Sequence, residues 1–98
     1  MIVFELKKFG PIISDKAVGE EIFEKVNSFL MSNGKVIIDF NGVRSMATYN
    51  AKQVFGRLYL KLGSEVFFEK IEIKNASDDI KIIIKMGIQH AIFDNKNI

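Results

Sequence analysis

The chain has 98 residues, 14 of them basic and 12 acidic for a formal charge of +2, and 48 % are apolar, including nine Phe. That length fits a single domain, residues 1–98, with a real but modest core, and the apolar content is too high for disorder. With no cysteine, disulfides, thiolate metal sites and thiol catalysis are excluded.

Lys accounts for twelve of the basic residues, scattered among Glu and Asp, and the densest cluster is Lys7-Lys8. A nucleic-acid binder concentrates its cations in a block or stripe, so this pattern argues against nucleic acid as a partner. No apolar run approaches the roughly 18 residues that span a bilayer. "MIVFELKKFG" lacks the order of a signal peptide because charges interrupt its short apolar stretch. The expected compartment is the cytoplasm, with no membrane contact.

Residues 2–6 read as a strand, closed by Gly10-Pro11. "SDKAVGEEIFEKVNSFLMSNG" places Val18, Ile22, Val26 and Phe29 on one helical stripe, with Phe23 and Leu30 beside them. Ser14 or Asp15 caps its start, and Asn33-Gly34 ends it through a left-handed residue. "KVIIDF" follows, apolar on both faces apart from Asp39, which predicts a strand buried on both sides at the centre of a parallel sheet. Asn41-Gly42 makes the next turn.

"NAKQVFGRLYLKLG" carries Ala51, Val54, Phe55, Leu58 and Leu62 at helical spacing, and Gly63 closes it. Residues 64–69, "SEVFFE", read as a loop whose Phe67 and Phe68 need burial. "KIEIKN" alternates Ile71 and Ile73 with charges, as a strand does. "SDDIKIIIKMGIQHAIF" opens with Ser77 as a cap and two aspartates against the helix dipole. Ile80, Ile83, Ile84, Gly87, Ile88 and Ala91 then mark its buried side. The order is β-α-β-α-β-α: an α/β domain with a small, mainly parallel, three- to four-stranded sheet and covering helices. So few strands leave an edge where a second copy or another protein could join.

Most catalytic arrangements are missing. His90 is the sole histidine, and its helical neighbours Met86, Gly87, Phe93 and Asp94 offer at most one further metal ligand. A histidine satisfied at the core boundary is the simpler reading. No nucleophile elbow or phosphate loop is present. Asp78 and Asp79 point in different directions at a helix start. The expectation is a non-enzyme without cofactor or metal.

The turn after the central strand is where open α/β sheets place their sites. Here Asp39 ends the strand, and Asn41 to Asn50 lead to the helix with three hydroxyls, Ser45, Thr48 and Tyr49, on the way. Asn50 with Gln53 three residues on forms a capping box in its Asn form, or Thr48 caps an earlier start.

Ser14 after the first strand, "IDFNGV", "VFGRLY" followed by "LG", and the asparagine of "IKNAS" occur in this order. Together they resemble the STAS-like domain family of unknown function, which is related in fold to the STAS domains of anti-sigma-factor antagonists. The likeness runs from about Gly10 to Ile92. In the antagonists, the loop after the central strand carries a Ser or Thr phosphorylated by a partner ATPase-kinase, and the next helix forms much of the partner surface. A phosphate is tolerated at a helix N-terminus, where free N–H groups and the dipole favour an anion, yet it breaks an interface it enters.

The resemblance therefore implies a regulatory protein-interaction module, anti-sigma-factor-antagonist-like, with a regulatory ATPase or kinase as partner. Where the antagonists have Asp-Ser, this chain reads Met46-Ala47-Thr48-Tyr49-Asn50, and Thr48 is the nearest hydroxyl. The candidate switch residues are Thr48, Tyr49 and Ser45. The candidate partner-binding residues are Asp39, Asn41, Arg44, Asn50, Lys52, Gln53 and Arg57. The alternatives are a homo-oligomer formed through a sheet edge or the Phe-rich 64–69 region, and a small-ligand or nucleotide binder at the strand carboxyl ends.

Overall fold

The computed structural model describes residues 1–96. Three strands form a parallel sheet, β1 (Ile2–Glu5), β3 (Val36–Asp39) and β5 (Ile71–Lys74), in the order β1-β3-β5. Ile2 pairs with Val36 and Val36 with Ile71, and the register runs on to Glu5, Asp39 and Lys74. A second, two-stranded parallel sheet joins β2 (Ile12–Ile13) to β4 (Ser45–Met46). Neither of these short strands is legible in the sequence.

The helices are α1 (Lys16–Asn33), α2 (Thr48–Ala51), α3 (Arg57–Leu62), α4 (Ser64–Lys70) and α5 (Asp78–Lys96). A 3-10 turn, Leu6–Phe9, follows β1, so the first strand ends one residue before its expected limit. Residues Lys52–Gly56 are π-helical and join α2 to α3 without a break.

Local chemistry sets most of these boundaries. Asp15 Oδ1 accepts from the N–H groups of Ala17 (2.7 Å) and Val18 (3.3 Å), which fixes the start of α1. Gly34 ends it in the left-handed region at φ 77°. Ser77 Oγ accepts from the N–H of Ile80 at 3.2 Å and caps α5. The turn after β3 closes with the Val43 N–H on the Phe40 carbonyl at 2.9 Å.

Right-handed crossovers between adjacent parallel strands put every connecting helix on one face of the sheet. The burial agrees. Phe4, Val36, Ile38 and Ile71 face the core, with Phe40 stacked near Phe55 at 6.0 Å between ring centres. The opposite face carries Val3, 53 % exposed, and the exposed side chains of Glu5, Glu72 and Lys74 around half-buried Ile37 and Asp39. The central strand is therefore buried on one face only, and the two-sided burial expected from "KVIIDF" is corrected. The apolar run alone cannot say whether helices will cover one face or two.

Two further expectations change. Residues 64–69 lie in α4, not in a loop; Phe67 is buried by packing on Tyr59 at 5.5 Å, while Phe68 stays 70 % exposed. His90 is exposed rather than satisfied at the core boundary. It precedes buried Ala91 by one residue, a rotation of about 100° on the helix.

A close approach of two helical backbones lies behind the π-helical segment. There α5 crosses α2 and Lys52–Gly56 through Ala51, Gly56, Gly87 and Ala91, all buried. A methyl group on Gly87 would come within 2.5 Å of the Ala51 carbonyl carbon and 2.6 Å of the Lys52 nitrogen. Only hydrogen fits between these two backbones.

Candidate functional site

The loop after β3 and the helix it opens come together with the N-terminus of α1. Contrary to the capping expectation, neither Asn50 nor Thr48 caps this helix. Ala47 occupies the N-cap position with no side-chain bond, and Thr48 is the first helical residue. Asn50 lies within the first turn, fully buried. Its Nδ2 donates to the Asp15 carbonyl at 3.0 Å and to Gln53 Oε1 at 3.1 Å. Among the described residues its Oδ1 has no partner.

Four side chains in succession tie this helix to α1. The Tyr49 hydroxyl donates to the Ser14 carbonyl. Asn50 reaches Asp15, and Gln53 Nε2 donates to the Lys16 carbonyl at 2.8 Å and to the Glu20 carboxylate at 3.3 Å. Arg57 Nη1 donates to the same carboxylate at 2.6 Å, and its guanidinium lies 3.7 Å from the centre of the Phe23 ring. Residues 49, 53 and 57 share a face because they are four apart. Gly19 gives the close approach its room: a methyl there would meet the amides of Gln53 and Asn50.

The result is an open groove of about 430 Å³ lined by Lys16, Glu20, Tyr49, Lys52, Gln53 and Arg57. Three cations and one carboxylate face it. Lys52 is ion-paired with Asp94 of α5, and Arg57 with Glu20. The Arg57 hydrogen bond, with help from Gln53, holds the Glu20 carboxyl below its ordinary pKa.

The remaining candidates lie on either side of this groove. Arg44 and Ser45 are exposed, Ser45 at the start of β4. Asp39 is engaged at the strand ends. Its Oδ1 accepts from the Asn75 side-chain amide and from the Asn41 N–H, both at 2.9 Å, and the Asn75 bond is the main cause of its lowered pKa. Asn75 takes φ 60° to reach it. Asp39 and Asn41 thus lock the ends of β3 and β5, whereas Tyr49, Lys52, Gln53 and Arg57 line the groove. No three His, Cys, Asp or Glu side chains gather as metal ligands would among the described residues, and none of the described helices is long and apolar enough to cross a membrane.

Lys16 and Glu20, the opposite wall, were not singled out by the sequence reading. The available signal was Gly19, a glycine in the first turn of an otherwise regular helix, which points to close backbone approach.

A family model described as a STAS-like domain of unknown function matches residues 18–81, from α1 into the first turn of α5. No curated protein and no solved structure matches the chain. With most of its length covered by the match, the chain belongs to this STAS-like family.

Proposed function

We propose that this STAS-like chain is a non-enzymatic regulatory module that binds a partner protein through residues 44–50 and the helical face that follows. The observation supporting this most directly is the groove itself: Tyr49, Lys52, Gln53 and Arg57 line one concave surface with Lys16 and Glu20. Bonds to Ser14, Asp15, Lys16 and Glu20 hold its walls together before any partner arrives. Preorganisation of this kind lowers the ordering cost of binding. Both signs of charge are offered, together with exposed Arg44 and the ring of Tyr49, a mixture suited to a protein surface.

The family resemblance makes a regulatory ATPase or kinase the partner of choice. Thr48 opens the helix one residue before Tyr49 of the groove wall, and no side chain caps the amides there. A phosphate on Thr48 would be tolerated by the helix N-terminus and would oppose a docked partner.

The test is affinity capture from the native host with wild-type, Arg44→Glu and Thr48→Glu baits, quantified by mass spectrometry with phosphosite mapping. The reading expects an ATPase or kinase on the wild-type bait, reduced about tenfold or more on both variants, while circular dichroism shows all three baits equally folded. Equal capture by all three would remove the loop from the interaction.

A further inference from the structure

A second groove, of about 460 Å³, lies elsewhere, between the α3–α4 corner and α5. Ile84 and Ile88 of α5 and Phe67 of α4 give it an apolar lining, and Lys81 and Lys85 stand on its α5 side. Phe68 lines it too and is 70 % exposed, its ring 5.2 Å from that of Phe67. One patch therefore carries a protruding aromatic ring beside an apolar hollow. The ring and the hollow together make one continuous apolar patch open to a partner.

The charges around the patch are arranged in two unlike sets. Glu65, three residues before Phe68 and so on its side of α4, and Glu69, its neighbour, are exposed. Lys81 and Lys85, four residues apart, share a face of α5 and are exposed as well. Among the described residues none of these four charges forms an ion pair. The acidic set flanks the ring, and the basic set flanks the hollow.

We propose that the occupant is a second copy of this chain. Two molecules related by a two-fold axis would each place Phe68 in the other's groove, with Glu65 and Glu69 against the partner's Lys81 and Lys85. A patch holding both complementary halves is what an isologous interface requires. An anionic lipid or an acidic helix would satisfy the lysines, but it would meet Glu65 and Glu69 with the same sign of charge. The dimer shares no lining residue with the groove of the proposed partner site, so either proposal can fail without the other.

Sedimentation equilibrium of the full chain tests it, from about 1 μM to about 1 mM at low salt. The variants are Phe68→Glu, the pair Glu65→Lys with Glu69→Lys, the pair Lys81→Glu with Lys85→Glu, and all four charge changes together. The wild-type mass should rise from 11.1 kDa towards twice that value. Phe68→Glu should weaken association about tenfold or more, each charge pair should weaken it, and the combined swap should restore it. Phe68 and the four charges are exposed, so circular dichroism should show native helix content throughout. A wild-type monomer at every concentration would overturn the proposal, including one whose groove instead takes up a fatty acid or an acidic peptide. So would a dimer indifferent to Phe68→Glu, or a charge swap that fails to restore association.

Discussion

Gly87→Ala is the most informative single perturbation, because two effects of opposite sign meet at that position. In an exposed helix the change would stabilise by about 1 kcal/mol through helix propensity. Here the added methyl lies 2.5 Å from the Ala51 carbonyl carbon, 2.6 Å from the Lys52 nitrogen and 2.7 Å from Ala51 Cβ. Ordinary carbon contacts begin near 3.5 Å, so α5 must retreat by about 1 Å. Its neighbours are backbone atoms and cannot turn aside as a side-chain tip can. The next contact along the crossing is just as tight, since a methyl on Gly56 would sit 2.7 Å from Ala91 Cβ. Overpacking a site of this kind costs about 1–3 kcal/mol, occasionally more, and backbone on both sides places this one near 3. The net loss is about 2 kcal/mol. For a domain of this size that lowers Tm by about 8–16 °C. Thermal and urea unfolding followed by circular dichroism give both quantities. A Tm equal to or above that of the wild type would show that propensity wins, and that α5 does not lie against the π-helical segment as described.

Asn50→Ala removes both bonds from Nδ2 to Asp15 and Gln53, at a cost of about 1–3 kcal/mol for a buried polar group; a urea midpoint unchanged from wild type would count against the bridge between α1 and the loop. Asp39→Asn tests the lock between the strand ends by its pH dependence. The Asp39 pKa is lowered in the folded protein, chiefly by the Asn75 amide and then by the Asn41 N–H. Its contribution is therefore complete above the ordinary carboxylate range, about pH 4, and is lost as pH falls through the lowered folded value. The variant should show a shallower loss of stability with acid than the wild type, with the residual slope including Glu20. Identical acid limbs would refute the assignment.

The periodic elements were legible because their causes are local. Asp15, Ser77 and Gly34 act on amides and carbonyls within four residues, so the ends of α1 and the start of α5 can be read directly. The helix α4 was hidden because seven residues give too short a window for a helical stripe, and residues 64–69 therefore read as a loop. Asn50 carried a misleading local signal. Its spacing to Gln53 mimics a capping box, yet the Asp15 carbonyl, 35 residues away in sequence, determines where its amide goes.

The candidate site divides along the same line. Tyr49, Lys52, Gln53 and Arg57 could be placed on one face from helical spacing alone. That this face forms a groove with Lys16 and Glu20 depends on α1 lying alongside, and on Gly19 leaving space for the Gln53 and Asn50 amides. The hydroxyl of Tyr49 likewise gains its partner only from the chain before α1.

The order and type of β1, α1, β3, β5 and α5, their core stripes, and the caps at Asp15, Gly34 and Ser77 were determined by the sequence by itself, since each depends on periodicity or on hydrogen bonds spanning a few residues. Tertiary structure alone decided which sheet face stays open, how β2 finds β4, and which polar side chains bridge distant segments. The physical reason is the range of the interaction. A two-residue strand such as Ile12–Ile13 has no stability of its own and exists only once Ser45–Met46 is brought beside it. The Gly87 crossing, in the same way, is favourable only after α5 and the π-helical segment have been packed together.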